Sequence, residues 1–178
     1  ASLVVILVIA RKRFVLQSYI GAKQFHDLGK LIFGFTIVAG DFFWSQFLVI
    51  WFGNLPEETQ YVILRIREMP WAALSYIVLF GAFAIPFVLL LGRGVKKKPN
   101  AMLAIAVMLL IGMWLEKFLL VVPSIWHEGT LPLGISELLI TLGFLSIFVL
   151  TYAFAISRHP ILPVGDPLLR EELRSRHS

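Results

Sequence analysis

Asp41, Ser45 and Gln46 sit inside an otherwise apolar and aromatic run, Gly40 to Phe52 (GDFFWSQFLVIWF). An aspartate in such a run can carry a proton, accept a hydrogen bond from a buried donor, or bind one helix to another. At about 1.5 Å per helical residue, Asp41 lies about 16 Å along the helix from Lys30, near the middle of a hydrocarbon layer roughly 30 Å thick. An ionised carboxylate there costs roughly 2.5–3.5 kcal/mol on insertion scales, so Asp41 is expected to face a helix bundle and to pair, hydrate or stay protonated. Ser45 is one turn on, Gln46 is close enough in angle to share the polar stripe, and Gly34 and Gly40 permit close helix approach. Such a stripe suits a proton route or a quinone headgroup pocket. The alternative is interhelical hydrogen bonding that does no more than hold the bundle.

A second candidate stands in Gly112 to Ser124 (GMWLEKFLLVVPS). Adjacent helical residues are about 100° apart, so Glu116 and Lys117 are not expected to neutralise each other. Lys117 is near enough to a span end to snorkel, which leaves Glu116 pointing inward and needing a partner, either as a proton-carrying group or in a structural ion pair. Glu137, at the start of the last apolar run, is a third candidate and is expected to be hydrated at the interface.

The elements that must position these groups follow from composition. Of 178 residues, 58% are hydrophobic and only 15% charged, and the apolar residues gather into long uncharged runs that a water-soluble core would not hide. Four runs are long enough to cross a membrane as helices: Leu31 to Phe52, Trp71 to Leu91, Ala101 to Val122 and Ile135 to Ile156. Ala1 to Ala10 is too short, and its basic cluster Arg11-Lys12-Arg13 follows the apolar run, the reverse of a signal peptide. The expectation is an all-α, polytopic transmembrane four-helix bundle plus a partial preceding span, the carboxy-terminal portion of something longer. Residues 1–10 would end a truncated transmembrane helix, 11–30 form a basic cytoplasmic loop, 31–157 hold the four spans, and 158–178 form a cytoplasmic tail.

The net charge of +5 comes from lysines and arginines in short loops, which sets orientation and does not make a nucleic-acid surface. Basic residues fall before the first span, between the second and third (Arg93, Lys96, Lys97, Lys98) and after the fourth, so both ends and loop 92–100 are expected on the cytoplasmic side. Loops 53–70 and 123–134 then face outward, with Trp51, Trp71 and Trp126 near the outer span ends. In the first outer loop, Gly53-Asn54 is turn chemistry, Pro56 suits the first position of a helix, and Glu57 and Glu58 suit the positive end of its dipole. A short interfacial helix over 56–68 is expected, with Glu57, Glu58, Arg65 and Arg67 facing water or a docking partner. Pro86 is the one proline inside a span and predicts a kink.

Several chemistries are set aside. The chain has no cysteine for thiol or iron-sulfur chemistry, and its four histidines, His26, His127, His159 and His177, lie at span ends or in loops, where they form no intramembrane pair for a b-type haem. No zinc spacing, phosphate loop or dinucleotide fingerprint is present in the sequence. The four spans show no inverted repeat of the kind secondary transporters carry. Any redox chemistry must belong to a quinone or to partner subunits.

The string HDLGKLIFGFTIVAGDFFWSQFLVIWFGNLPEET, His26 to Thr59, resembles the NrfD/polysulfide-reductase membrane-subunit family. The likeness is strongest to the ActF branch found in alternative complex III, a quinol:cytochrome c oxidoreductase. Gly112 to Lys117, Val121 to Ser124 and Pro163 to Pro167 (PVGDP) add to the resemblance, which covers nearly the whole chain. It implies a large subunit of two four-helix bundles in the bacterial inner membrane, with this chain matching the second bundle and tail. It further implies that the chain binds no cofactor alone, that quinone or quinol binds in the complex, and that iron-sulfur clusters and haem c lie on peripheral iron-sulfur and multihaem cytochrome c partners beside another integral NrfD-like subunit. By the same resemblance Glu116 falls in an acidic motif associated with a transmembrane proton route. Asp41 departs from the family pattern, which favours an aromatic there. A purely structural membrane anchor, whose polar residues only join helices, stands as the alternative.

Overall fold

The computed structural model describes residues 1–13, 20–126, 132 and 134–158. The tail motif PVGDP, His127, His159, His177 and half of the second outer loop lie outside the described residues. All described secondary structure is helical: α1 Ser2–Arg13, α2 Ala22–Gly53, α3 Pro56–Arg67, α4 Trp71–Leu91, α5 Arg93–Lys96, α6 Pro99–Val121 and α7 Ile135–Arg158. Of these, α2, α4, α6 with the turn that follows it, and α7 are long and apolar enough to cross a membrane. The protein is an all-α, multi-pass membrane protein. It divides into two compact units, Ala1–Leu131 and Pro132–Ser178, each described by itself.

In the first unit α6 is the central helix, with 33% of its most apolar stretch buried against 11% for α2. Its Met102, Ile105, Ala106 and Leu109 pack with Val4 and Val8 of α1, Phe25 and Ile32 of α2, and Leu90 of α4. Hydropathy alone starts the first span at Leu31, but α2 begins nine residues earlier, at Ala22. Gln24 Oε1 accepts the Gly21 N–H at 2.9 Å at the helix start, and Lys30 pairs with Asp27 three residues back at 3.2 Å, so polar residues extend the helix beyond its apolar part. The helix ends at Asn54, whose left-handed backbone (φ 44°) returns its N–H to the Ile50 carbonyl at 3.1 Å. Pro56 then opens α3 and Glu57 and Glu58 occupy its first turn.

The kink expected at Pro86 takes the form of a widened π-helical turn, Leu79–Ala84, within α4. Proline has no N–H to offer the Ala82 carbonyl and its ring crowds that oxygen; one extra residue in the preceding turn relieves both. The turn is also where the three spans of this unit meet. A Cβ built on Gly112 of α6 would lie 2.6 Å from the Ala82 Cβ, and one built on Gly40 of α2 would lie 2.4 Å from the Phe83 ring. Small residues therefore set the contact distances on both sides of α4. Phe83, Phe87 and Phe33 continue the α4–α2 contact as stacked rings, with centroid separations of 5.8 and 5.2 Å.

In the second unit, α7 contains hydroxyls that satisfy themselves locally. Thr141, Ser146, Thr151 and Ser157 donate to carbonyls three or four residues back, at 2.7–2.8 Å. Back-bonding of this kind lets a helix carry polar residues through an apolar phase with its donors paired.

Candidate functional site

The most developed polar cluster joins α3 to the carboxy-terminal end of α6, and its centre is Arg65. Residue 123 is a proline, so the Leu119 carbonyl has no amide four residues on to accept from. Arg65 Nε donates to that carbonyl at 2.9 Å, while Nη2 donates to the Leu120 carbonyl at 2.9 Å and to Ser124 Oγ at 3.0 Å. Nη1 returns to the Tyr61 carbonyl at 2.8 Å, and the guanidinium lies 3.4 Å over the Tyr61 ring centroid. From the other side, the Ser75 hydroxyl of α4 donates to the Arg65 carbonyl at 2.6 Å. A planar cation thus caps the negative end of the α6 dipole and supplies the donor that Pro123 withholds. Burial pulls the Arg65 guanidinium below its ordinary value, the Tyr61 hydroxyl group acting in the opposite sense. An arginine remains charged regardless.

This corrects the expectation that Arg65 faces water or a partner: it is 6% exposed and spends its donors within the chain. Glu57, Glu58 and Arg67 are exposed and remain available as a docking face on α3. Trp71 also departs from its expected place in an aromatic belt. It is buried against Phe118 and Leu119 beside the Arg65 cluster, whereas Trp51 and Trp126 are exposed.

Glu116 lies one turn before Leu119, on the core-facing line of α6 formed by Ile105, Leu109, Gly112 and Leu119. Its carboxylate is half-buried and pairs with Lys117 Nζ at 3.1 Å. That overturns the expectation that the two cannot neutralise each other: the 100° between their Cα directions is spanned by the lysine's long flexible stem.

Asp41, Ser45 and Gln46 are all exposed and make no hydrogen bond or ion pair among the described residues. Asp41 was expected to face the bundle, yet α2 packs through Gly29, Ile32, Thr36 and Gly40, and Asp41 lies about 140° around the helix from Thr36. Gln46 falls on a different side of the helix from Asp41 and Ser45, so the three do not form a single line toward the core. The polar residues of α2 and the Glu116–Lys117 pair of α6 are not gathered into one site. Glu137 accepts the Gly134 N–H at 2.8 Å and the Ser136 hydroxyl at 2.9 Å, which makes it a clasp on the first turn of α7.

An apolar groove of about 680 Å³ runs along α4 and α6 past Ile77, Gly81, Leu103, Val107, Ile111 and Leu115. Its one polar lining side chain among the described residues is Asn100, at one end. The groove suits an isoprenoid or acyl chain, and it offers no proton-exchanging group to a quinone headgroup. No group of histidine, aspartate or glutamate side chains capable of holding a metal ion occurs among the described residues. No protein-family model matches this sequence, and no curated protein is similar enough to it to stand as a relative.

Proposed function

We propose that this chain is an integral membrane subunit of a quinol-oxidising electron-transfer complex of the alternative complex III type. It anchors iron-sulfur and multihaem cytochrome c subunits at the membrane beside a second NrfD-like subunit, in a bacterial inner membrane with its carboxy terminus cytoplasmic. The resemblance in His26 to Thr59 and Gly112 to Ser124 motivates the type of complex. The observation that carries the subunit reading is Asp41: a carboxylate midway along the apolar part of the 32-residue helix α2, exposed and turned away from the packed side of that helix. In hydrocarbon such a group needs a neighbour that donates to it or hydrates it, and the first unit provides none among its described residues.

Within that complex Glu116 is the stronger proton-route candidate, being half-buried on the core-facing line of α6 beside a cation. A purely structural anchor is the second reading, favoured by the dispersal of Asp41, Ser45, Gln46 and Glu116 over two helices without a continuous polar line. The test uses the native complex carrying Asp41→Asn or Glu116→Gln, with subunit composition read by mass spectrometry and quinol oxidation measured alongside proton release. Intact composition with depressed turnover places the residue on a working route. Normal turnover in both variants leaves the anchor reading, and loss of subunits from the Asp41 variant makes that residue a helix-joining group.

A further inference from the structure

The end of the first unit opposite the Arg65 cluster holds a cavity of about 380 Å³ lined by His26, Lys30, Leu91, Arg93, Lys96 and Lys97. Five of its six walls are cationic or imidazole side chains, drawn from the start of α2 and from the α4–α6 connection. Basic residues in a loop are most often a solvated face whose work ends with orienting the protein. Lys96 does not fit that description. It is 8% exposed, its stem lies against Gly29, where a Cβ would come 2.9 Å from its Cγ, and its ammonium sits 4.9 Å from the centroid of the Phe33 ring. A lysine held this way is pre-organised, at the cost of burying its stem and restricting its rotamers.

The acidic inventory near the cavity is small. Asp27 pairs with Lys30 at 3.2 Å and lies 3.7 Å from His26 Nδ1. Arg93, Lys96 and Lys97 have no carboxylate partner among the described residues, so the site holds uncompensated positive charge in a concave space. We propose that this cavity binds a phosphate ester, and that its source is the headgroup of an anionic phospholipid. Arg93 offers a planar fork to phosphate oxygens, and Lys96 and Lys97 offer point charges. Leu91, at the end of α4, lines the cavity, and the adjoining spans expose Leu31, Phe35, Val88 and Leu91 along their lengths, where acyl chains would lie. A free phosphate would use the same cations and leave that apolar surface unused.

The test is a lipid titration of the full chain in detergent micelles, read by native mass spectrometry. Dioleoyl-phosphatidylglycerol, dioleoyl-phosphatidylcholine and inorganic phosphate are the probes. Each basic residue near a membrane surface contributes about fivefold to anionic lipid affinity, so R93Q/K97Q is expected to lower phosphatidylglycerol retention by roughly 25-fold. K12Q/R13Q removes the same net charge outside the cavity and so controls for the general attraction of a basic surface; a local site loses clearly more retention in R93Q/K97Q than in this pair. Both pairs are exposed, and an unchanged thermal melt confirms that the variants fold. Displacement of phosphatidylglycerol by millimolar inorganic phosphate, with phosphate itself raising the melting temperature, would keep the phosphate site and overturn the lipid as its source. Equal losses in the two double variants, or equal retention of phosphatidylcholine and phosphatidylglycerol, would overturn the site.

Discussion

Replacing Arg65 by methionine tests whether the polar cluster exists because of Pro123. The substitution keeps an apolar stem of similar length against Tyr61 and removes every guanidinium donor. The Tyr61 carbonyl belongs to the turn of α3 that contains Arg65 itself, and Ser124 is exposed and can turn to water, so neither loss counts heavily. The Leu119 carbonyl is different, because Pro123 has no N–H to take over from the guanidinium. A buried acceptor left without a donor costs about 1–3 kcal/mol. The Leu120 carbonyl keeps a long 3.5 Å contact from the Tyr61 hydroxyl and loses the 2.9 Å bond from the guanidinium, which adds about 1 kcal/mol. Loss of a cation from a helix carboxy terminus adds about 0.3–1 kcal/mol. With the guanidinium's desolvation cost recovered, the net expectation is about 2–4 kcal/mol of destabilisation. The assay is reversible unfolding of the detergent-solubilised chain by sodium dodecyl sulfate titration, followed by far-ultraviolet circular dichroism. The mechanism is isolated by a double-mutant cycle with Pro123→Ala, which gives residue 123 an amide that can reach the Leu119 carbonyl. In that background Arg65→Met should cost at least about 1 kcal/mol less than in the wild type, since the two changes share one acceptor. Additivity within about 0.5 kcal/mol would refute the assignment of Arg65 as the substitute for the proline's missing donor.

Other expectations concern the helix contacts and the acidic residues. Gly112→Ala should destabilise the isolated chain by about 1–3 kcal/mol, because its Cβ would lie 2.6 Å from the Ala82 Cβ and 2.8 Å from the Ala82 Cα; unfolding midpoints measure this. Gly34→Ala, with nothing within 4 Å of its Cβ, should be neutral or stabilise by up to about 1 kcal/mol in the same assay. Asp41→Asn should leave the stability of the isolated chain within about 0.5 kcal/mol, since Asp41 is exposed and unpaired among the described residues, while altering assembly or turnover of the complex. Lys117→Met should release the partner of Glu116 and slow quinol oxidation if Glu116 carries protons, with assembly unchanged as judged by subunit composition.

The parts of the fold legible in the sequence are those set by local chemistry. Four apolar runs of membrane length became four long helices, and Gly53-Asn54, Pro56 and the glutamates after it located the turn and the start of α3. Pro86 marked the irregular turn of α4, although whether a proline bends a helix or widens it depends on the neighbours, here Gly112 and Gly40. Contacts between residues distant in the chain were not legible. Pro123 announces that the Leu119 carbonyl needs a donor, but nothing local says that the donor is Arg65, 54 residues earlier. Helix angles alone separate Glu116 from Lys117, and the length of the lysine side chain brings the two charges together. The orientation of Asp41 is not legible for a different reason: the cost of exposing a carboxylate to lipid requires a neighbour, and it does not require that neighbour to be this chain's own core.

The most direct test of the proposed role is affinity purification of the chain from its native membrane in mild detergent, with mass spectrometry of the bound subunits and an absorption spectrum for c-type haem. Recovery together with a second NrfD-like subunit, an iron-sulfur protein and a multihaem cytochrome c, in a preparation that oxidises quinol, is the expected result. A chain that purifies alone from membranes in which such subunits are present, without haem absorption or quinol oxidation, would contradict it.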